Sequence, residues 1–409
     1  MENRVDPNLH RELKKFGADD LDLCFSCGNC TATCPLSSDD VAFPRRIIHY
    51  AQVGMTHKLR ASVDPWLCYY CGECTESCPR EANPAENMMA SRRYLTASYD
   101  WTGLSKKLYL SLTWEISAVL AVALGVVLLF YFLHGPIVTD RVELTTFAPT
   151  EWVHIGDLIM AGILSFFLLT NALRMLYFVV KDSKDPIPFS LFVTQIPTFI
   201  LHFATQKRWR ECDDEDHMHW FKHLILVTGY LTMLVLVLGL LPWFQTDKVY
   251  PFYHPQRLLG YYATAVLIYV TIDFMIGRWK KSKEIHKFSH ASDWIFLILL
   301  FLTALTGILV HVFRIYGMPM STYIIYVIHM AIAVPMLMVE VPFGKWAHLF
   351  YRPLAMYLYT VKLKAKEVAK QKKRAAAKAA RQPKQQPKPA LERIDPNLLP
   401  GDCNGRRKD

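Results

Sequence analysis

The chain has 409 residues, of which 52% are hydrophobic and 20% are charged, and its mean hydropathy is +0.15. It is too apolar for an ordinary soluble protein and too charged to lie wholly in lipid, so we expect a water-soluble part joined to a membrane part. The net charge is +10, and residues 362–409 account for all of it, with 15 Lys and Arg against 5 Asp and Glu. No folded nucleic-acid recognition module accompanies these charges. We therefore predict contact with anionic membrane lipid or an acidic partner, and no nucleic acid.

The N-terminal part, residues 1–103, contains two copies of one cysteine pattern. The copies are Cys24-x2-Cys27-x2-Cys30-x3-Cys34-Pro35 and Cys68-x2-Cys71-x2-Cys74-x3-Cys78-Pro79. Each has the spacing that binds a cubane iron–sulfur cluster, so the two runs predict two [4Fe–4S] clusters. Two structural zinc sites are the alternative, but zinc usually takes separated pairs of cysteines.

The fourth cysteine of each run is predicted to bind the cluster of the other run, as in two-cluster ferredoxins. One cluster is then held by Cys24, Cys27, Cys30 and Cys78, and the other by Cys68, Cys71, Cys74 and Cys34. The first ten residues lack the apolar core of a secretory signal, which favours reduced cysteines on the cytoplasmic side over disulfides. Segments beside the runs have apolar residues at helical spacing and none alternates like a strand, so we predict a helical domain.

Residues 104–360 contain six apolar stretches, each near the roughly 20 residues that span a bilayer. They are Leu112–Leu133, Trp152–Val180, Trp220–Trp243, Arg257–Gly277, Ser292–Ile315 and Thr322–Gly344. The loop 181–217 is amphipathic and is predicted to lie along the inner membrane surface. Residues 361–409 form a basic tail that favours helix up to residue 381. The predicted fold is all-α, a helical two-cluster domain followed by a six-span bundle of the cytochrome b type.

The loop charges predict the orientation of this bundle. Lys and Arg are concentrated before the first span and in the loops that follow the second and fourth spans, and they are few in the opposite loops. By the positive-inside rule, the cluster domain and the tail lie on the cytoplasmic side of the cytoplasmic (inner) membrane. The even number of spans independently returns the chain to the side on which it starts.

Histidines in the spans are candidate haem ligands, because ionisable residues are costly in a bilayer and two imidazoles from different helices hold a b-type haem. His223 and His348 both lie near inner ends of spans, so we predict that they are the axial pair of one haem. His219 lies one helical turn before His223 and is the alternative to it. His329 lies nearer the outer side, where its predicted partner is His311 or His154. We prefer His311 because it comes from the adjacent helix.

The last span carries both an inner and an outer histidine. His329 and His348 are 19 residues apart, which places them about 100° apart around a straight helix. Two haems on one side of this helix therefore require a bend, and we expect Pro335 and Pro342 to supply it.

The chain resembles known redox families. Its N-terminal part looks like the C subunit of heterodisulfide reductase, which pairs two such cysteine runs in a helical domain. Spans two to six look like the cytochrome b subunit of respiratory nitrate reductase, and the stretch from His329 to His348 is similar to that family's last helix. The fusion of the two parts is similar to the C subunit of the quinone-interacting membrane-bound oxidoreductase (Qmo) complexes of sulfate reducers.

This resemblance implies a biochemical setting. It implies one or two haems b, menaquinol or menaquinone as substrate, two flavin- and iron–sulfur-containing partner subunits, and adenylylsulfate reductase as the downstream acceptor. The nitrate reductase family has a second histidine in the helix that matches the third span, whereas this chain has Met233 at that place. The outer haem therefore needs another ligand or is absent.

We accordingly predict an electron-transfer subunit of a quinone-dependent oxidoreductase complex, with sulfate respiration as the implied context. Two alternatives remain open: a membrane anchor for an iron–sulfur protein without quinone chemistry, and the membrane arm of a heterodisulfide reductase-like complex. The sequence identifies no catalytic residues at a quinone site. It also allows either direction of electron flow, because ligand type alone does not set the reduction potentials.

Overall fold

The computed structural model describes residues 5–38, 41–183, 185–207, 217–282 and 284–381. It divides into two compact units, Met1–Ala365 and Lys366–Asp409. The described residues form helices, turns and an isolated β-bridge between Ser38 and Val41, with no strand among them. The all-α prediction is confirmed. The predicted tail beyond residue 381 lies outside the described residues.

Eight helices build the N-terminal part, and the longest of them, α7, lies at its centre. In chain order they are α1 (Leu9–Lys15), α2 (Asn29–Thr33), α3 (Arg45–Gln52), α4 (Thr56–Ala61), α5 (Asp64–Leu67), α6 (Glu73–Glu76), α7 (Pro84–Tyr99) and α8 (Leu104–Leu110). Helix α7 packs against α1, α3, α4, α5, α6 and α8. Its buried side chains include Met88, Leu95 and Tyr99, and their contacts join helices from both sides of each cysteine run into one apolar core.

Six helices are long and apolar enough to cross a membrane, which confirms the six predicted spans. They are α9 (Leu112–Leu133), α11 (Thr150–Lys181), α14 (His217–Leu238), α16 (Pro255–Lys280), α18 (Ala291–Ile315) and a sixth span, Pro319–Phe343. Their outer surfaces are apolar: Phe132 and Leu133, for example, are 73% and 72% exposed. Such a surface requires lipid around it.

Short helices connect the spans. They are α10 (Leu144–Phe147), α12 (Phe189–Thr194), α13 (Ile196–Thr205), α15 (Leu241–Phe244) and α17 (Glu284–Lys287). Helices α12 and α13 lie within the loop that was predicted to be amphipathic. Consecutive spans are neighbours from α14 through α16 and α18 to the sixth span, which also packs against α9.

The sixth span is not a straight helix. It consists of α19 (Pro319–Pro335), a π-helical turn (Met336–Glu340) and α20 (Val341–Phe343), and a 3₁₀ turn (Lys345–Ala347) leads to α21 (His348–Arg381). Pro335 and Pro342 cannot donate backbone hydrogen bonds, which weakens the α-helical pattern on both sides of the π turn. The chain then leaves the helix at Gly344. This break changes the relative direction of His329 and His348, as the two prolines led us to expect.

The N-terminal part packs directly on the C-terminal end of α11 and the N-terminal end of α21. Trp66 lies 5.1 Å from Tyr351, measured between ring centroids, and Tyr99 lies 5.6 Å from the same ring. Lys58 forms an ion pair with Asp182 (2.6 Å) at the end of α11. These aromatic side chains belong to one continuous buried core, which joins the N-terminal part to the helices of the membrane part.

Candidate metal centres

The two cysteine runs have the same backbone conformation at equivalent positions. Ser26 and Tyr70 both have φ of 61°, and Gly28 and Gly72 both have φ of 97°. The left-handed region favours glycine, and each of these glycines immediately precedes a short helix, α2 or α6, that carries the third cysteine of its run. The repeated sequence pattern thus corresponds to a repeated structure.

The two runs face each other across helices α2 and α6. Thr33 and Ser77 occupy the same position in each run, just before the fourth cysteine. Their hydroxyl oxygens are 3.2 Å apart and share a hydrogen bond. Contact between equivalent residues is expected close to a local two-fold axis, so the runs are arranged as a symmetric pair.

Each fourth cysteine lies among the first three cysteines of the other run. The charged neighbours of Cys30 include Cys24, Cys27 and Cys78. The neighbours of Cys34 are Cys68 and Cys71, and those of Cys74 include Cys68, Cys71 and Cys34. Cys30 is also a neighbour of Cys74, so the two runs lie close together. Cross-binding of the clusters is compatible with these contacts and stays a prediction. The eight cysteines of the two runs form no disulfides.

Burial controls the protonation of these thiols. It raises the pKa of Cys34 to about 12 and also raises the pKa of Cys30, Cys71 and Cys74, and neighbouring cysteines raise these values further. A crowded set of thiolates is therefore unfavourable without a cation. Iron supplies that charge when it binds, and it displaces the protons.

Backbone amides also point at cysteine sulfurs. Ser26 N–H donates to Cys24 Sγ (3.5 Å), Tyr70 N–H to Cys68 Sγ (3.3 Å) and Ala82 N–H to Cys78 Sγ (3.4 Å). Such bonds stabilise negative charge on cluster ligands and raise the reduction potential. Across the described ranges, no group of three or more His, Cys, Asp or Glu side chains is placed to hold a single metal ion.

His223 on α14 and His348 at the start of α21 come together at the inner end of the bundle. Their ring centroids are 6.3 Å apart and the ring planes are inclined by 64°. Two metal–nitrogen bonds of about 2 Å, in line with two imidazole rings, place the ring centroids roughly 6 Å apart. The separation therefore suits one iron between the two rings.

Hydrogen bonds orient both rings. His223 Nδ1 lies 2.7 Å from Gln206 Oε1, and His348 Nδ1 lies 2.6 Å from the carbonyl oxygen of Lys345. An imidazole that donates from Nδ1 carries its lone pair on Nε2, which is the usual arrangement in metal-binding histidines. Burial lowers the pKa of His348 to about 3, so this ring is neutral at physiological pH, as a ligand must be.

A cavity of about 480 Å³ extends from these histidines to the second cysteine run. Its wall includes His223 and His348 from the membrane part and Cys71 from the run. Aromatic side chains such as Tyr230 and Trp346 line much of the remainder. The volume is within the range of cofactor pockets in proteins. The residues present therefore fit a haem held between His223 and His348.

A second histidine pair lines the same cavity. The ring centroids of His219 and His286 are 6.0 Å apart, and His286 Nδ1 lies 3.1 Å from Ser282 Oγ. His219 precedes His223 by one helical turn. The two pairs are too close together for each to hold a haem, so they are competing sites for one group.

The outer histidines are arranged differently. His311 Nδ1 lies 2.7 Å from Arg257 Nη1, and its Nε2 lies 2.7 Å from the Tyr261 hydroxyl, so both ring nitrogens make hydrogen bonds. His329 Nδ1 lies 3.0 Å from Thr306 Oγ1. His154 Nδ1 is buried without a hydrogen-bond partner among the described residues. An outer haem between His329 and His311 or His154 stays a prediction.

Two arginines at the cavity were not identified as site residues from the sequence. Arg92 on α7 and Arg352 on α21 both line the cavity. Burial, followed by the positive charge of Arg352, lowers the pKa of Arg92 to about 9. Arg352 could have been identified from the sequence, because it lies one helical turn after His348 and therefore on the same face of the helix. Nothing local marked Arg92 or Gln206, because each reaches the site through long-range packing.

The N-terminal part is similar to known iron–sulfur proteins. Residues 17–79 match the family model of the 4Fe–4S dicluster domain. The C subunit of the "H(2):CoB-CoM heterodisulfide,ferredoxin reductase" of Methanothermobacter marburgensis is 32% identical over 62 residues, and the protein of the same name from Methanothermobacter thermautotrophicus gives the same identity and length. An Archaeoglobus profundus protein, described as like the C subunit of heterodisulfide reductase, is 32% identical over 99 residues.

These matches cover only part of each chain. The first two cover 15% of this chain and 34% of the relative, and the third covers 24% and 53%. This chain thus spans about a third to a half of the curated relatives it matches. No solved structure matches it. The N-terminal part is a 4Fe–4S dicluster domain that is homologous to the C subunit of heterodisulfide reductase and to proteins like it.

Proposed function

We propose that this chain is the electron-transfer subunit of a membrane redox complex. Electrons pass between a quinone in the membrane and cytoplasmic partners by way of a haem b and two [4Fe–4S] clusters. The implied quinone is menaquinone, the partners are two flavin- and iron–sulfur-containing subunits, and the final acceptor is adenylylsulfate reductase. This assignment follows the likeness to the C subunit of the Qmo complexes, and the loop charges support cytoplasmic termini.

The observation that carries the proposal is the cavity shared by His223, His348 and Cys71. Two histidines and a cysteine of the second run lie on the wall of one cavity, which supports a haem beside a cluster. A membrane anchor without redox chemistry has no need of this arrangement. Electron transfer does need it, because the donor and acceptor must lie close together.

The protein has distinct tasks at this site. A quinol releases two electrons and two protons, whereas a haem and a cubane cluster each carry one electron, so bound one-electron groups divide the reaction. His223 and His348 supply the binding nitrogens. Gln206 and the Lys345 carbonyl orient them. Aromatic and aliphatic side chains such as Tyr230 and Leu226 pack around the histidine pair, and charged side chains line other parts of the wall.

The direct test is reduction by quinol. We expect the purified full-length chain in lipid nanodiscs to show a haem α-band, and a soluble menaquinol analogue should reduce it in a stopped-flow measurement. The oxidised quinone is the control and should cause no reduction. A preparation with both clusters but no α-band would contradict the proposal and favour the membrane-anchor alternative.

Gln206 provides a second test, because it contacts His223 but is not itself a ligand. Replacement by alanine removes the acceptor of the Nδ1 hydrogen bond, so the ring loses its orientation. Loss of such a partner typically costs 10–100-fold in metal affinity. We expect Gln206→Ala to bind haem at least about tenfold more weakly in a titration of the haem-free protein.

A nearby amide serves as the matched control. Gln195 lies between α12 and α13 in the same loop, and its side chain donates to Thr194 Oγ1 (3.2 Å) instead of to a histidine. Gln195→Ala should therefore bind haem as the unchanged chain does. Equal haem affinity of the two variants would show that the Gln206 contact has no orienting role.

A further inference from the structure

A carboxyl group of the first span is turned towards the protein interior. Glu115 lies in the first turn of α9, and only it and Val126 are buried among the 22 residues of that helix. Its neighbours Trp114 and Ile116 are 56% and 44% exposed, whereas Glu115 is 2% exposed. A carboxyl buried at membrane depth is costly unless another group of the protein interacts with it.

That group is Glu340, in the π turn of the sixth span. The π turn packs against α9, and the Glu340 side chain is fully buried. Its Oε2 accepts a hydrogen bond from the N–H of Lys345 (3.0 Å). An added Cβ at Gly344 would collide with the same oxygen, so the glycine leaves room for this carboxyl. Turns of this kind are frequent at functional sites.

The two carboxyl groups form a hydrogen bond with each other. An ionised carboxylate only accepts hydrogen bonds, so this bond requires a proton on Glu115 or Glu340. No N–H or hydroxyl group of the described residues donates to Glu340 Oε1, which is buried. Without a shared proton, two like charges would face each other in a buried place. The arrangement therefore requires one proton between the two side chains.

The charged and titratable groups around the pair leave part of its negative charge without compensation. The Lys345 ammonium forms an ion pair with Asp293, and Arg278 Nη1 lies 3.6 Å from the same carboxylate. Tyr109 of α8 also faces the pair. Helix α11 packs on this part of the sixth span through the apolar ring of Phe167. Because Lys345 is shared with Asp293, its charge offsets that of the pair only in part.

Lys345 connects the pair to the histidine site. Its N–H donates to Glu340, and its carbonyl oxygen lies 2.6 Å from His348 Nδ1. The side chains of Lys345, Tyr109 and Asp293 line the cavity. A charge on Glu340 and a charge on a group bound at His348 are thus linked through one backbone residue. In a buried place such charges interact more strongly than they do in water.

We propose that Glu115 and Glu340 form a proton-binding site that holds one proton when the haem is oxidised and takes up a second when the haem is reduced. This inference rests on the proposed function, because a haem at His348 is the group that gains the electron. One electron enters the haem from the quinol, and one proton from the solvent binds the remaining carboxylate. The net charge of the site is then unchanged, so each event favours the other.

The coupling is measured as the pH dependence of haem reduction in the full-length chain in lipid nanodiscs. With one proton bound per electron, each added unit of pH shifts the equilibrium up to about tenfold towards the oxidised haem. In the double variant Glu115→Gln/Glu340→Gln, the two amides keep the shape of the side chains but cannot take up a proton. We expect this variant to bind haem and to lose the pH dependence.

Infrared spectroscopy tests the shared proton separately. A protonated carboxyl group has a C=O stretching band that shifts in D2O. We expect such a band from the oxidised chain at neutral pH, and we expect the double variant to lose it. Glu143→Gln is the matched control, because Glu143 forms an ion pair with Arg141 (2.5 Å) in the loop after α9. The control should keep both the band and the pH dependence. Cluster content, measured by electron paramagnetic resonance (EPR), verifies that each variant is folded.

Two results overturn the inference. Haem reduction that does not depend on pH in the unchanged chain excludes the coupling without reference to any variant. A pH dependence and an infrared band that both survive in the folded double variant assign the protons to other groups. In both cases the haem proposal itself stands, whereas a chain without an α-band refutes the haem proposal together with this inference.

Discussion

Replacing His223 or His348 with alanine should remove one haem and leave both iron–sulfur clusters in place. Each histidine supplies one of the two axial bonds, so we expect haem affinity to fall more than about 100-fold, beyond the 10–100-fold that loss of an orienting partner costs. The α-band per protein measures haem, and EPR of the reduced protein counts the clusters. The clusters should survive because none of the eight cysteines of the two runs lies on α14 or α21, the helices that carry the two histidines.

The competing pair in the same cavity makes this test specific. His219→Ala and His286→Ala are matched controls, because their rings are 6.0 Å apart and line the same space. If His223 and His348 are the axial ligands, both of these variants should retain the haem. Loss of the α-band in these two variants, with its retention in His223→Ala and His348→Ala, would transfer the axial role to the other pair.

Replacing the fourth cysteine of one run should abolish the cluster of the other run. Cys34→Ser is expected to give the EPR spectrum of Cys71→Ser, because Cys34 lies beside Cys68 and Cys71. Cys78→Ser is expected to give the spectrum of Cys27→Ser, because Cys78 lies beside Cys30. Each lost cluster should remove about four irons per chain, the content of one cubane.

The same four variants contain their own controls. Cys27→Ser and Cys71→Ser define the spectra that remain when the first or the second cluster is absent. Should Cys34→Ser resemble Cys27→Ser instead, each run would bind its own cluster with all four of its cysteines. The close approach of Thr33 and Ser77 would then be only a packing contact.

The junction between the two parts has consequences for electron transfer. Trp66, Tyr99 and Tyr351 pack together there, and the Lys58–Asp182 ion pair lies at its edge. The ion pair is partly exposed and contributes little by itself. The aromatic cluster is buried, so it supplies most of the stability of the junction. This core holds the dicluster domain against the membrane part, as the proposed electron transfer would require.

The sequence alone determined the features that depend on local pattern. The spacing of eight cysteines specified two cubane clusters, and six apolar stretches specified six spans, because both signals occur within short windows of the chain. Depth along a span also paired His223 with His348, since position in the membrane can be counted from the end of an apolar stretch. The residues of the proposed quinone site had no such local signal.

Only the tertiary structure decided which distant residues meet. The hydrogen bond between Thr33 and Ser77 shows that the two cysteine runs, 44 residues apart in the chain, lie side by side. The π turn and the break at Gly344 set the direction of His348, and they follow from packing around Pro335 and Pro342 as much as from the prolines themselves.

Gln206 and Arg92 are the clearest examples of residues whose place at the site cannot be predicted from the sequence. Gln206 follows a surface helix, and Arg92 lies far from His348 along the chain, yet both border the histidine pair or its cavity. Neither has a periodicity or a spacing that marks it, because a single long-range contact leaves no repeat in the sequence. Contacts of this kind become visible only when the helices are packed, and they decide how the cavity is charged and how its ligands are held.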